Sequence, residues 1–313
     1  MLVNLRTAYG EALLALAKEN PRIVALDADL CGSTQSVVIE KAFPERYFEM
    51  GIGEQNMISV AAGLALTGKI PFAHSFSVFA SGRPFDQIRQ GVCLPNLNVK
   101  IVGSSCGLSD FADGATHQSI EDLATMRILP HMTVFCPADA VETKWAVRAA
   151  AAIDGPAYIR LNRNDLPVIF DDSTPFEVGK PVVVKDGGDV ALIGTGVMTA
   201  IALDAAAILE AEGVSARVVH LGTVKPLCAK SLADAVKGVR GLVTCEEHTV
   251  MGGLGSAVAE ALCAAPLPMR MVGIADRYGQ SAVSYDELLA CYGLTKEAVA
   301  EAATNLLASA PRA

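Results

Sequence analysis

Apolar residues in this chain alternate between short continuous runs and longer stretches of helical spacing, almost from end to end. Residues 5–18 carry them three and four apart, which predicts an opening amphipathic helix. Residues 22–27 (RIVALD) predict a short buried strand, followed by a polar loop, DADLCGSTQ. The same reading predicts helix 36–42, strand 47–50, helix 54–66, strand 70–73, helix 79–91 and strand 98–103. A glycine-punctuated loop, SSCGLSDFADGATHQ, then leads to helix 120–127, strand 132–135, helix 138–152 and strand 157–161. Strands that alternate with helices in this way predict an α/β fold with a mostly parallel sheet.

Between residues 162 and 188 the alternation stops, and Pro, Asp and Gly dominate without a helical period. It then resumes with strands at 190–193, 216–221, 241–245 and 269–274. Helices are predicted at 199–212, 229–236 and 254–263, and the end is Ala-rich and helical. The expected architecture is two α/β/α domains: a larger one at 1–170, a linker at 171–188, and a smaller one at 189–313.

Composition narrows the class. Of 313 residues, 51% are hydrophobic and 19% charged, which argues against disorder. A net charge of −9 with no Lys/Arg run disfavours a nucleic-acid surface. No apolar run approaches the roughly 18 residues needed to span a bilayer. The first residues lack a charged segment followed by a small-residue cleavage site. Eight cysteines are scattered without a C-x-x-C pair, the pattern of reduced core thiols rather than of zinc ligands. The expectation is a soluble, cytoplasmic protein with no metal centre of its own.

The candidate chemistry centres on RYFEMGIGEQNMISVAAGLALTGKIPFAH, residues 46–74. Here Gly51 and Gly53 break a strand-like run, and Glu54 opens a helix. A carboxylate there can complement the helix dipole; in a dry, apolar surround with a raised pKa it can instead share a proton with a ring nitrogen. Phe76 and Phe79, in HSFSVF, could supply such a surround by stacking on a ring, or could be core. Asp113 and His117 share the loop DGATHQ, where Asp-Gly is an ordinary turn pair but Asp with His also suits a hydroxylated substrate. Arg6, Ser33 and Arg163 are dispersed; guanidinium forks and a loop hydroxyl can hold a phosphate, and each alone reads equally as surface. GTG at 194–196 lacks the spacing and the following acid of a dinucleotide fingerprint. Glu246, Glu247 and His248 fall at a strand end and suggest a turn or domain interface rather than metal ligands.

GIGEQNMISVAAGLALTGKIPF and DGATHQ resemble the corresponding segments of transketolases, as do LRTAYGEAL, GST, IRLNRND, KPL and GGLGSAV. The resemblance covers nearly the whole chain but only the C-terminal half of a full-length transketolase: a pyrimidine-binding domain and a smaller C-terminal domain. No GDG motif, which would hold Mg²⁺ against a diphosphate, occurs here. The resemblance thus implies the C-terminal subunit of a split transketolase, a homodimer within an α₂β₂ complex with a separate pyrophosphate-binding N-terminal subunit. It implies thiamine diphosphate and Mg²⁺ as cofactors, held mainly by that partner. The two-carbon ketol unit of a ketose, with phosphate the expected end group, would pass to an aldose. Glu54, Phe76 and Phe79 would contact the aminopyrimidine; Asp113 and His117 would read sugar hydroxyls and the donor carbonyl, with His117 also catalytic. Arg6, Ser33 and Arg163 would hold the phosphate end, where relatives add a His and this chain has Ser105. In place of a third aromatic ring found in relatives, this chain has Gly82 and an apparent insertion before Arg83. A β subunit of a 2-oxoacid dehydrogenase and an inactive regulatory module of the same fold are the alternatives.

Overall fold

A computed structural model describes residues 1–309. Two sheets organise it. The first has seven strands in the spatial order Thr223–Lys225, Thr133–Phe135, Ala157–Arg160, Lys100–Ser104, Ile70–Phe76, Ile23–Asp27 and Tyr47–Glu49. All pairings in it are parallel except the one at Thr223–Lys225, which runs antiparallel to Thr133–Phe135. The second sheet has five strands in the order Met269–Ile274, Leu242–Thr249, Val190–Gly194, Ala216–His220 and Val182–Lys185, with the last antiparallel. A two-stranded antiparallel ribbon joins Leu2–Asn4 to Asp165–Pro167.

The central strands are buried on both faces, which is why they read as continuous apolar runs rather than alternating ones. Helices cover the sheets and are capped by local chemistry. Asn4 accepts from the Arg6 N–H at the start of helix Leu5–Glu19, and Asp139 accepts from the Glu142 N–H at the start of Ala140–Ala152. Helix Glu54–Leu66 has no side-chain cap at Gly53, so Glu54 itself brings negative charge to its first turn.

Four short strands fall outside the sequence expectation, Leu2–Asn4, Asp165–Pro167, Thr223–Lys225 and Val182–Lys185, the last inside the predicted linker, and three expected elements run differently. The strand expected at 70–73 runs on to Phe76: His74 is paired on both sides, and Lys100–Ser104 alone pairs Ser75 and Phe76. The single helix expected at 79–91 is three pieces, Ser77–Gly82, Phe85–Gln87 and a π-helical turn Ile88–Cys93, interrupted at Pro84, whose ring cannot continue the ladder. The strand expected to stop at Cys245 extends to Thr249, so Glu246, Glu247 and His248 lie within it.

Candidate active site

Parallel α/β sheets present their loops at the carboxyl ends of the strands, and ligands bind there. Glu54 follows strand Tyr47–Glu49, Ser33 follows Ile23–Asp27, and Phe76 ends its own strand with Phe79 in the next helix. Asp113 and His117 follow Lys100–Ser104, and Arg163 follows Ala157–Arg160. One edge of one sheet therefore carries seven of the eight predicted residues; Arg6 reaches it from the first turn of the opening helix.

Contacts link Glu54, Phe79, Phe76, His117 and Arg163; Asp113 shares a hollow with Arg163, and Arg6 meets Ser33. Glu54 is buried, and its Oε1 accepts from Arg83 Nη1 at 2.8 Å. The Arg83 guanidinium lies over the Phe79 ring, 4.3 Å from its centroid. Phe79 stacks on Phe76 at 6.2 Å and 16°, and both rings meet the His117 imidazole edge-on, at 5.2 and 6.3 Å. Beyond Phe76 lies Arg163, 5.9 Å from the ring centroid, which ion-pairs with Asp110 at 2.5 Å. Asp110, Phe111, Ala112, Asp113 and Arg163 line a hollow of about 180 Å³. Arg6 Nη1 donates to the Ser33 carbonyl at 3.1 Å. Burial, together with the Arg163 charge, lowers the Arg6 pKa, so two cations face one another at this end.

The surround of Glu54 departs from the dry, apolar pocket expected of it. Its partner is a half-exposed guanidinium, and a hollow of about 430 Å³ lined by Ile52, Gly53, Gln55, Asn56 and Arg83 opens beside it. Arg83, to which sequence reasoning assigned no role, lies with its planar guanidinium over the Phe79 ring.

Two further carboxylates escaped sequence reasoning. Asp110 is buried against Arg163; burial and the neighbouring Asp113 raise its carboxyl pKa, while Arg163 pulls the other way. Asp27 accepts from Thr34 Oγ1 at 2.6 Å, Ser36 Oγ at 2.8 Å and the Leu30 N–H at 2.6 Å, and so folds the loop that carries Ser33. Burial pushes the Asp27 carboxyl up to about 6. The spacing of Thr34 and Ser36 after a strand-ending Asp was the available signal. Ser105 is fully buried at φ 54°, and its hydroxyl has no hydrogen-bond partner.

His74 braces the site strand from behind. Its Nδ1–H donates to the Leu26 carbonyl at 2.8 Å, which leaves Nε2 to accept the Tyr9 hydroxyl at 2.6 Å. Burial holds the imidazole neutral, with its pKa down at about 4. Glu246, Glu247 and His248 serve the domain boundary. Glu246 accepts from the Leu254 and Gly255 N–H groups and caps a helix, whereas His248 Nε2 accepts from the Ala124 N–H of the first unit. Among the described residues no cluster of three or more metal-ligating side chains occurs, and no helix is long and apolar enough to cross a membrane.

A buried carboxylate beside stacked aromatic rings, an acid–imidazole loop and paired guanidinium groups lie along one carboxyl edge of a parallel α/β sheet, where ligands bind in such folds. Residues 2–168 match the family model of the transketolase pyrimidine-binding domain, and residues 179–299 match that of the transketolase C-terminal domain. The chain belongs to the transketolase family. It is 45% identical to a putative transketolase C-terminal section of Methanocaldococcus jannaschii, over 95% of this chain and 94% of that one. It is 42% identical to a 6-deoxy-6-sulfo-D-fructose transketolase subunit of Clostridium sp., over 96% of this chain and 93% of that one. Among solved structures it superposes on a split-gene transketolase, an inactive β4 tetramer, with a TM-score of 0.90 and 48% identity, covering 99% of this chain and all of the other.

Proposed function

We propose that this chain is the C-terminal subunit of a two-subunit, thiamine-diphosphate-dependent transketolase, active only with an N-terminal pyrophosphate-binding subunit. The observation that carries this reading is the contact path from Glu54 through Arg83, Phe79 and Phe76 to Arg163, with His117 against both rings, along one sheet edge. The similar C-terminal section and split-gene chain have nearly this length, which supports a division of the enzyme between two polypeptides.

The residues present suit the aminopyrimidine half of the cofactor. Phe76 and Phe79 offer parallel ring faces, and Glu54 offers a buried carboxylate at the mouth of a hollow larger than one ring. When bound, thiamine diphosphate supplies the carbon centre that takes up the two-carbon unit. Glu54 would hold a proton at Oε1, the atom that Arg83 occupies in the chain alone. Arg83 is half-exposed, so its guanidinium can return to water at small cost. The diphosphate and Mg²⁺ would be held by the partner.

Asp113 would accept from a sugar hydroxyl, and His117, wedged against both phenylalanines, would donate to or accept from the donor's reacting oxygen. Arg163 and Arg6, with Ser33, would hold an anionic end group on the ketose, and the phosphate of a sugar phosphate fits that role. The sulfonated sugar named for the Clostridium relative is consistent with an anionic end being read in this family. The test is a two-substrate assay on the chain mixed with its N-terminal subunit. Ketol transfer from a ketose phosphate to an aldose is the expected result; decarboxylation of a 2-oxoacid without ketol transfer would move the chain to the other thiamine-dependent class.

A further inference from the structure

The loop that carries Asp113 and His117 spans residues 105–118 with almost no secondary structure of its own; one isolated bridge joins Gly107 to Ser119. Its shape is supplied from the second α/β unit, at two places. At its base, the Glu247 carboxylate accepts from the Leu108 N–H at 2.8 Å, and a Cβ on Gly107 would stand 2.3 Å from that carboxylate carbon. At its tip, residues 276–283 lie along it as a strap. The Ala282 N–H donates to the Phe111 carbonyl at 2.9 Å. A Cβ on Gly114 would stand 2.5 Å from Ser281 Oγ.

The tightest point is Gln118, which is 3% exposed. Its Nε2 donates to the Asp110 carbonyl at 3.0 Å and across to the Gln280 carbonyl at 2.9 Å. A Cβ on Gly279 would stand 1.7 Å from Gln118 Oε1, so only glycine lets the strap close over this amide. Gln118 follows His117 directly, and the carbonyl it holds belongs to Asp110, the counter-ion of Arg163. One buried amide therefore ties two of the proposed substrate contacts, His117 and Arg163, to the second unit.

We infer that Gly279 and Gln118 are positioning residues, and that the second α/β unit acts as a template fixing the substrate loop so that Asp113 and His117 meet the sugar. This rests on the proposed reading of that loop as the sugar-binding element. Gly279→Ala forces Gln118 out of its seat; Gln118→Ala removes the tie without a clash; the double variant relieves the clash but not the loss.

Two measurements separate the questions. Amide hydrogen exchange on the full chain reads the loop itself. Steady-state kinetics of the chain reconstituted with its N-terminal subunit reads its use. Exchange over residues 110–118 should rise in both single variants while the core strands stay protected. The KM for the ketose donor should rise about tenfold in Gly279→Ala with a much smaller change in kcat, since a displaced loop loses contacts made to bound substrate. The double variant should be no worse than Gln118→Ala, because coupled sites are not additive. Unchanged exchange in both single variants, additive losses, or a fall in kcat alone would overturn the template. Faster loop exchange in the single variants, with a wild-type pair that transfers no ketol unit, would leave the brace standing and overturn the sugar reading instead.

Discussion

Glu54 is a nearly buried carboxylate held by one flexible cation, and that combination sets what its replacement does. Glu54→Gln keeps the side chain's size and one acceptor but cannot hold the proton that the proposed reading assigns to Glu54. Turnover should fall about 10²-fold or more with the thermal unfolding midpoint little changed, as expected when an acid–base group is lost. At the other end, Arg163 pairs with the buried Asp110, and in the proposed reading it also holds the anionic end of the substrate. Arg163→Ala should raise KM for a phosphorylated ketose much more than for its unphosphorylated analogue, with a smaller effect on kcat. Equal effects on both sugars would show that only the loss of Asp110's counter-ion matters. Glu54, Phe76, Phe79, Asp113 and His117 could be singled out as candidates in the sequence because motif and loop chemistry are local. Arg83, Asp110 and Gln118 were not legible, because each acts through a partner brought to it by tertiary approach.

At the scale of elements, alternation of apolar runs and helical periods located the strands of both parallel sheets, and missed what only neighbours decide. Nothing in HSF at 74–76 marks it as strand; pairing with Lys100–Ser104 extends the ladder there. The short antiparallel strands Leu2–Asn4, Asp165–Pro167 and Thr223–Lys225 exist only because a distant segment meets them. Strand Leu242–Thr249 is the case with most consequence, since its last turns carry Glu247 to the substrate loop. Glu247 accepts from Leu108, from the Tyr285 hydroxyl at 2.8 Å and from Asn162 Nδ2 at 3.4 Å. Burial nevertheless pushes its carboxyl up to about 7. A raised acid keeps its proton in the folded state after the unfolded chain has lost it. Its contribution to stability is therefore full below about pH 4.5 and is lost as pH rises through about 7. Glu247→Gln has no such proton to lose. Denaturant unfolding should show the variant's deficit relative to wild type narrowing between pH 5 and pH 8, by an amount on the order of 3 kcal/mol. A constant deficit across that range would mean the carboxyl titrates at its ordinary value.

In the whole molecule the two α/β units are not independent. A strand from the second half completes the first sheet, and Arg160 of the first unit pairs with Asp122 at 2.9 Å while donating to the Glu247 carbonyl of the second, also at 2.9 Å. Such coupling explains why the division into two units was legible in the sequence whereas their mutual dependence was not: periodicity reports each element's own face and says nothing about which unit it finally joins. The proposed site is open at Glu54, where the hollow beside Arg83 and the exposed Ile52 await a covering surface. A second polypeptide carrying the metal and diphosphate ligands would close it. The most direct measurement is calorimetric thiamine-diphosphate binding, with Mg²⁺, combined with a ketol-transfer assay on this chain alone and on the chain mixed with its N-terminal subunit. Weak binding and no transfer by the chain alone, with tight binding and transfer restored in the mixture, is the predicted result; tight Mg²⁺-dependent binding and full activity without any partner would contradict it.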